Sequence, residues 1–187
     1  VTPSTPLILS PPAWLDQVVE WGGRYRTDEE RMRVAVALAR ENVDRDTGGP
    51  FGAAVFTSRG ELVSAGVNSV TRLGNSVLHA ETFALMLAHA AVGSYDLGGR
   101  DGHGYALATS CEPCAMCLGA TLWSGVGELI CGATKEDATA VGFDEGPVFK
   151  ESWLYLERRG VRTARQVLRE EAAAVLELYR ARGGAIY

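Results

Sequence analysis

Three cysteines stand at three-residue intervals in the stretch TSCEPCAMC: Cys111, Cys114 and Cys117. The chain has only one other, Cys131, so three of its four thiols crowd into seven positions. Thiols spaced in this way can hold a metal, cycle as a redox pair, form a disulfide or pack as small buried side chains. Four cysteines in 187 residues are too few and too clustered for a disulfide framework. Pro113 suits the first position of a helix, where its missing N–H costs nothing. Cys114 and Cys117 then lie three residues apart on the first turns and can face one point. The positive end of that helix favours thiolate, the form a metal needs. Cys111 precedes the proline and has no helical reason to share their direction.

Zinc takes about four ligands, and a catalytic site keeps one position for water. The chain offers three histidines: His79, His89 and His103. His79 stands just before an amphipathic helix and is followed two positions later by Glu81. His89 lies well along that helix, and His103 sits in the Gly-rich stretch GGRDGHG. His79 is therefore paired with Cys114 and Cys117. Glu81 is left free of the metal and available for proton transfer. A structural site of three cysteines and one histidine, recruiting Cys111, would leave Glu81 without a task. An iron–sulfur cluster would need a fourth cysteine or a downstream Cys-Pro. Three merely buried cysteines would not account for the His-x-Glu.

These residues need elements to aim them. Pro3, Pro6, Pro11 and Pro12 predict an extended arm over 1–12. Ala13–Trp21 then reads as a short helix with Leu15, Val18, Val19 and Trp21 on one face, broken by Gly22-Gly23. Thr27 and Glu30 have capping-box spacing, and the helix that follows runs to about Val43. AAVFTS and ELVSAGVN read as two strands joined through a turn at Ser58–Gly60. HAETFALMLAHAAV is a helix, YALATS a buried strand, CAMCLGATLWS a helix and ELICGAT another buried strand. Trp123, at helical spacing after Cys117, reads as core. KEDATAVGF is a short helix or turn, and Glu170–Ala181 a final helix. Two strands followed by alternating helix and strand imply a mixed sheet with helices on both faces. We divide the chain into an N-terminal arm and short helix, 1–27, and a main domain, 28–187.

The hydrophobic share of 47% and charged share of 22% are ordinary for a globular protein. A net charge of −5 argues against a nucleic-acid partner, which needs a concentrated Lys/Arg surface. No apolar run reaches the length of a membrane span. No basic segment followed by an apolar core opens the sequence, so a secretory signal is not expected and a cytoplasmic location is.

His79-Ala80-Glu81, 31 intervening residues and then Pro113-Cys114-Ala115-Met116-Cys117 form the H-x-E…P-C-x-x-C signature of the zinc nucleobase deaminases. With GGPFGAAVF (48–56), TSCEPCAMCLGA (109–120) and EDATAVGFDE (136–145), the sequence resembles the cytidine-deaminase-like zinc hydrolases, and within them the guanine/guanosine deaminases. The resemblance covers roughly Arg31 to Lys150. It implies a three-layer α/β/α sandwich, usually a homodimer, with one Zn²⁺ per subunit on His79, Cys114 and Cys117. The ion would lower the pKa of a water, and Glu81 would move protons from it to the ring nitrogen and the departing ammonia. The backbone near Ala80 and Cys114 would help orient that water.

The resemblance further implies that Asn68, eleven residues before His79, reads the substrate edge. It implies that Asp137 contacts the substrate and assists proton transfer. Phe51 and Phe143 are candidate walls around a flat base, or core. Some relatives swap their C-terminal segment, and by that analogy Tyr187 would close a neighbouring active site with Gly183-Gly184 as hinge. Guanine deaminases usually carry an acidic residue and a small or Pro residue just before His-Ala-Glu, whereas this chain has Val77-Leu78. The expected reaction is guanine to xanthine plus ammonia. The alternatives are a guanosine-type nucleoside, a modified guanine, an aminotriazine, or adenosine in tRNA.

Overall fold

A computed structural model describes residues 8–99 and 104–187; Pro3, Pro6 and His103 lie outside them. In chain order the elements are α1 (Leu15–Val18), α2 (Asp28–Asp44), β1 (Gly52–Thr57), β2 (Leu62–Val67), α3 (Val70–Leu73), α4 (Ala80–Val92) and β3 (Tyr105–Cys111). They continue with α5 (Ala115–Ser124), β4 (Glu128–Ala133), α6 (Lys135–Ala140), α7 (Lys150–Arg158), β5 (Arg162–Ala164) and α8 (Arg169–Ala181). The strands form one sheet in the order β2-β1-β3-β4-β5. β1 is antiparallel to both β2 and β3, whereas β3, β4 and β5 run parallel. This is the expected mixed sheet.

The pleat divides the side chains between two helical layers. Ala54, Phe56, Ala108 and Ile130 join Met32 and Leu38 of α2 and Val175 and Leu176 of α8 on one face. Their neighbours Ala53, Val55, Leu107 and Leu129 join Ala84 and Leu85 of α4, Leu118 of α5 and Leu156 of α7 on the other. Burial on both faces explains why these strands read as near-continuous apolar runs. The three-layer α/β/α sandwich is present as expected.

Pairing also brings the chemistry to one edge. Gly52 at the start of β1 lies opposite Val67 at the end of β2, and Ala53 lies opposite Thr109 near the end of β3. Cys111 lies opposite Ala133 at the end of β4. Phe51, Asn68, the Cys111–Cys114 turn and Thr134 therefore leave the sheet at the same end. That end is beside β3, where antiparallel pairing gives way to parallel and crossover loops part to leave a crevice.

Two expectations are corrected. The N-terminal helix is a single turn, with Trp14, Leu15 and Val19 buried but Trp21 47% exposed. Its indole donates to Asp16 Oδ1 at 2.9 Å, while Trp14 Nε1 donates to Thr47 Oγ1 at 3.1 Å and ties the arm to the main layer. The sequence reading also missed α7 and β5. β5 is three residues long, outward at Arg162 and recognisable only by its pairing with β4.

Candidate active site

Both metal-binding motifs lie at helix starts. α5 begins at Ala115 and not at the expected Pro113; Cys114 directly precedes the helix in extended conformation (φ −63°, ψ 172°). His79 occupies the same position before α4 (φ −67°, ψ 161°). An extended residue at that point turns its side chain back over the first helical turn. Cys117, three positions on, is met by Cys114. One donor atom from each of His79, Cys114 and Cys117 lies within 4.8 Å of the others. Cys114 Sγ is 3.6 Å from His79 Nδ1. A tetrahedron with Zn–S of about 2.3 Å and Zn–N of about 2.0 Å has an N···S edge of about 3.5 Å, so the trio fits Zn²⁺.

The electrostatics agree with that fit. The Cys114 thiol is held down to about 4, chiefly by a hydrogen bond from Cys117 and, against burial, by His79. Cys117 is driven the opposite way by sharing that proton with Cys114 and by burial. Glu81 is pushed up by burial and then by the Cys114 thiolate. Burial pulls His79 down, but Cys114 and Glu81 outweigh it and leave the imidazole raised. The cluster carries an excess of negative groups that a divalent cation offsets.

Around the trio the pocket is lined by Phe51, Glu81, Glu112, Phe143, Glu145 and Tyr187, among others. Ala80 is buried directly between His79 and Glu81. Asn68 is fully buried; its Oδ1 accepts from Val70 N–H at 3.2 Å, while its Nδ2 has no partner of good geometry among the described residues and lies beside the Tyr187 hydroxyl. Phe51 and Phe143 do not face each other across a gap. Their ring centroids are 4.9 Å apart at 72°, edge to face. A base stacked between two rings needs about twice the ~3.5 Å contact distance, so they form a single wall.

Tyr187 enters the pocket of its own chain. Its ring lies 5.4 Å from Phe143 and 6.4 Å from His79. Its hydroxyl occupies the place a Cβ would take at Gly49, so a side chain there would displace Tyr187. Tyr179 Oη donates to Ala185 O at 2.8 Å and secures the approach of the tail.

Asp137 is not among the pocket's lining residues. Thr134 N–H donates to its Oδ2 at 2.8 Å, and Asp137 N–H donates to Thr134 Oγ1 at 3.2 Å, closing a capping box on α6. Arg169 clamps both carboxylate oxygens at 2.8 and 2.9 Å. That hydrogen-bonded cation holds Asp137 at about 2. The acid that the same stretch sends into the pocket is Glu145, 7% exposed and pushed up to about 8 by burial, then by Cys114 and Glu81. The Thr134-x-x-Asp137 spacing was the available signal that Asp137 is a cap. Glu112 was likewise missed. Cys111 is turned away from the metal ligands; its buried thiol lies 3.6 Å from Thr134 O as donor. Trp123, expected in the core, is 82% exposed.

Residues 25–133 match the family model for the cytidine and deoxycytidylate deaminase zinc-binding region. The chain is 39% identical over 123 residues to a guanine deaminase of Bacillus subtilis, covering 66% of this chain and 75% of that protein. Among solved structures it resembles the guanine deaminase from Nitrosomonas europaea, with TM-score 0.88 and 40% identity over 94% of this chain and 97% of that one. A protein crystallised with 2,6-diaminopurine superposes with TM-score 0.88 and 41% identity, covering 96% of this chain and 95% of that one.

Proposed function

The chain belongs to the cytidine and deoxycytidylate deaminase zinc-binding family, and on that footing we propose that it hydrolyses guanine to xanthine and ammonia. The observation that carries the substrate is the likeness to a guanine deaminase over nearly the whole of both chains. His79, Cys114 and Cys117 would hold a zinc ion, which would supply Lewis acidity and lower the pKa of a water toward about 7. Glu81 is buried beside that trio and has no ion-pair partner among the described residues, so its carboxyl can gain and lose a proton. It takes the proton of the attacking water and returns it to the ring nitrogen next to the carbon that bears the amine. A second proton transfer lets the amine leave as ammonia.

To Glu145 we assign the task that the sequence suggested for Asp137, holding the substrate's edge and assisting that transfer. The unpartnered Nδ2 of Asn68 supports a role as donor to a purine acceptor. Phe51 and Phe143 supply one apolar wall, and Ala80 the backbone floor. With Tyr187 seated, the space is about 30 Å³, room for one or two waters and no purine. The tail therefore swings out for entry, about Gly183 with its φ of +70°.

We also infer a homodimer. Val77, Met86, Met116, Ala120 and Trp123 line an almost wholly apolar groove between α4 and α5. Exposed apolar surface of this kind marks an interface. Four free cysteines fit a reducing compartment such as the cytoplasm. No helix among the described residues is long and apolar enough to cross a membrane.

The test is ammonia release from guanine, guanosine, cytosine, cytidine, adenine and aminotriazines by the zinc-loaded protein. Guanine should be turned over fastest. Release from none of them, with inosine formed in tRNA, would overturn the reading.

A further inference from the structure

Glu112, between Cys111 and the Pro113-Cys114 turn, is 3% exposed, and its carboxylate is fully engaged. Arg165 Nε donates to Oε1 at 2.7 Å, and the Lys135 backbone N–H donates to Oε2 at 3.1 Å. Arg165 is itself fixed, its guanidinium stacked 4.4 Å from the centre of the Trp153 ring. Lys135 opens α6 and extends its ammonium to Gly146 O at 2.8 Å. Gly146 is held in the left-handed region (φ +66°), and its N–H donates to Asp144 Oδ1 at 2.9 Å. The residue between them, Glu145, accepts from Ala115 N–H at 3.0 Å through its carbonyl oxygen.

One chain of contacts thus joins the turn that carries Cys114 to the turn that carries Glu145. We propose that Glu112 and Lys135 are positioning residues, which set the distance between the metal-binding turn and the Glu145 turn through the path Arg165–Glu112–Lys135–Gly146. Neither end of that path is a regular element. Residues 141–149 have no helix or strand of their own, so their placement depends on such links. Glu112 is the buried member of this network, with Arg165 partly exposed, and losing one member leaves its neighbours unpaired.

The catalytic arm of the test rests on the deaminase reading, and the exchange arm does not. Four variants decide it: Glu112→Ala, Glu112→Gln, Lys135→Met and the Glu112→Ala/Lys135→Met double. In Glu112→Ala, amide hydrogen exchange over 142–149 should rise roughly tenfold or more, reporting local opening. Zinc should remain at one per chain. Turnover of guanine should fall about 10- to 100-fold with KM within about threefold, as expected when a group is misplaced and not removed.

Glu112→Gln should be milder, because its amide oxygen can still accept from Lys135 N–H. Lys135→Met should reproduce the exchange effect, and the double variant should add little to either single one. Lys135→Met leaves the Glu112–Arg165 pair intact and carries the test if Glu112→Ala does not fold. Unchanged exchange in Lys135→Met and Glu112→Gln, loss of zinc, a change confined to KM, or additive effects would each overturn the proposal. A wild-type protein inactive on guanine would sink the functional reading, while the exchange data would still decide the link.

Discussion

Glu81 and Asp137 both stand in the first turn of a helix, yet their surroundings prepare them for opposite work. Arg169 grips both oxygens of Asp137 and holds its carboxyl at about 2, so it stays charged and cannot pass protons near neutrality. Glu81 is buried beside the Cys114 thiolate, and burial with that thiolate outweighs His79 and raises its affinity for a proton. Glu81→Gln keeps the shape and removes the carboxylate proposed as the base. Zinc measured by atomic absorption should stay at one per chain, while turnover falls about 10²- to 10⁴-fold. Cys111 makes the converse case. Its Sγ meets Thr134 O and no metal-binding atom, so Cys111→Ser should leave zinc content and turnover unchanged. Loss of zinc in that variant would return Cys111 to the ligand set.

At the scale of elements, α6 shows how a cap can pass for a catalytic group. Thr134 and Asp137 bond reciprocally across its first turn, and Arg169 of α8 joins it to the neighbouring helix. Asp137→Asn should therefore leave turnover within about twofold and lower stability by about 1 kcal/mol, the usual scale for a lost cap. The folded carboxyl titrates near 2 against an ordinary 3.8, so its contribution is present above about pH 4 and is lost as pH falls through 2. Thermal melts of the two proteins should converge over that interval, and a constant gap would contradict the assignment. The metal trio, Glu81, α2, α4 and the four longer strands were legible because local chemistry and periodicity encode them. Thr27 and Glu30 announced a capping box, and the apolar runs of β3 and β4 announced buried strands. Glu145 and Glu112 were not legible, because their place in the pocket depends on contacts between distant segments. β5 was hidden because only its partner β4 makes it a strand.

Across the whole molecule, the sheet gathers its functional ends at one edge, and the helices that carry the metal ligands also carry the exposed apolar face. α4, which follows His79, contributes Leu85 and Met86 to the groove; α5, which follows Cys114, contributes Met116, Ala120 and Trp123. A second copy seated there would brace both ligand-bearing helices at once, against a core that already fixes their inner faces through Ala84 and Leu118. Trp123, 82% exposed on α5, is not among the residues lining the metal pocket and is the natural anchor of such a contact. Aromatic anchors of this kind typically account for 2 kcal/mol or more of an interface, roughly a 30-fold change in dissociation constant. Sedimentation of the wild-type protein at micromolar concentration should give a dimer, and Trp123→Asp should shift it toward monomer with zinc still bound. Turnover per chain should then fall with the dimer population as the protein is diluted. A Trp123→Asp variant that sediments as the wild type would show that the copies meet elsewhere or not at all.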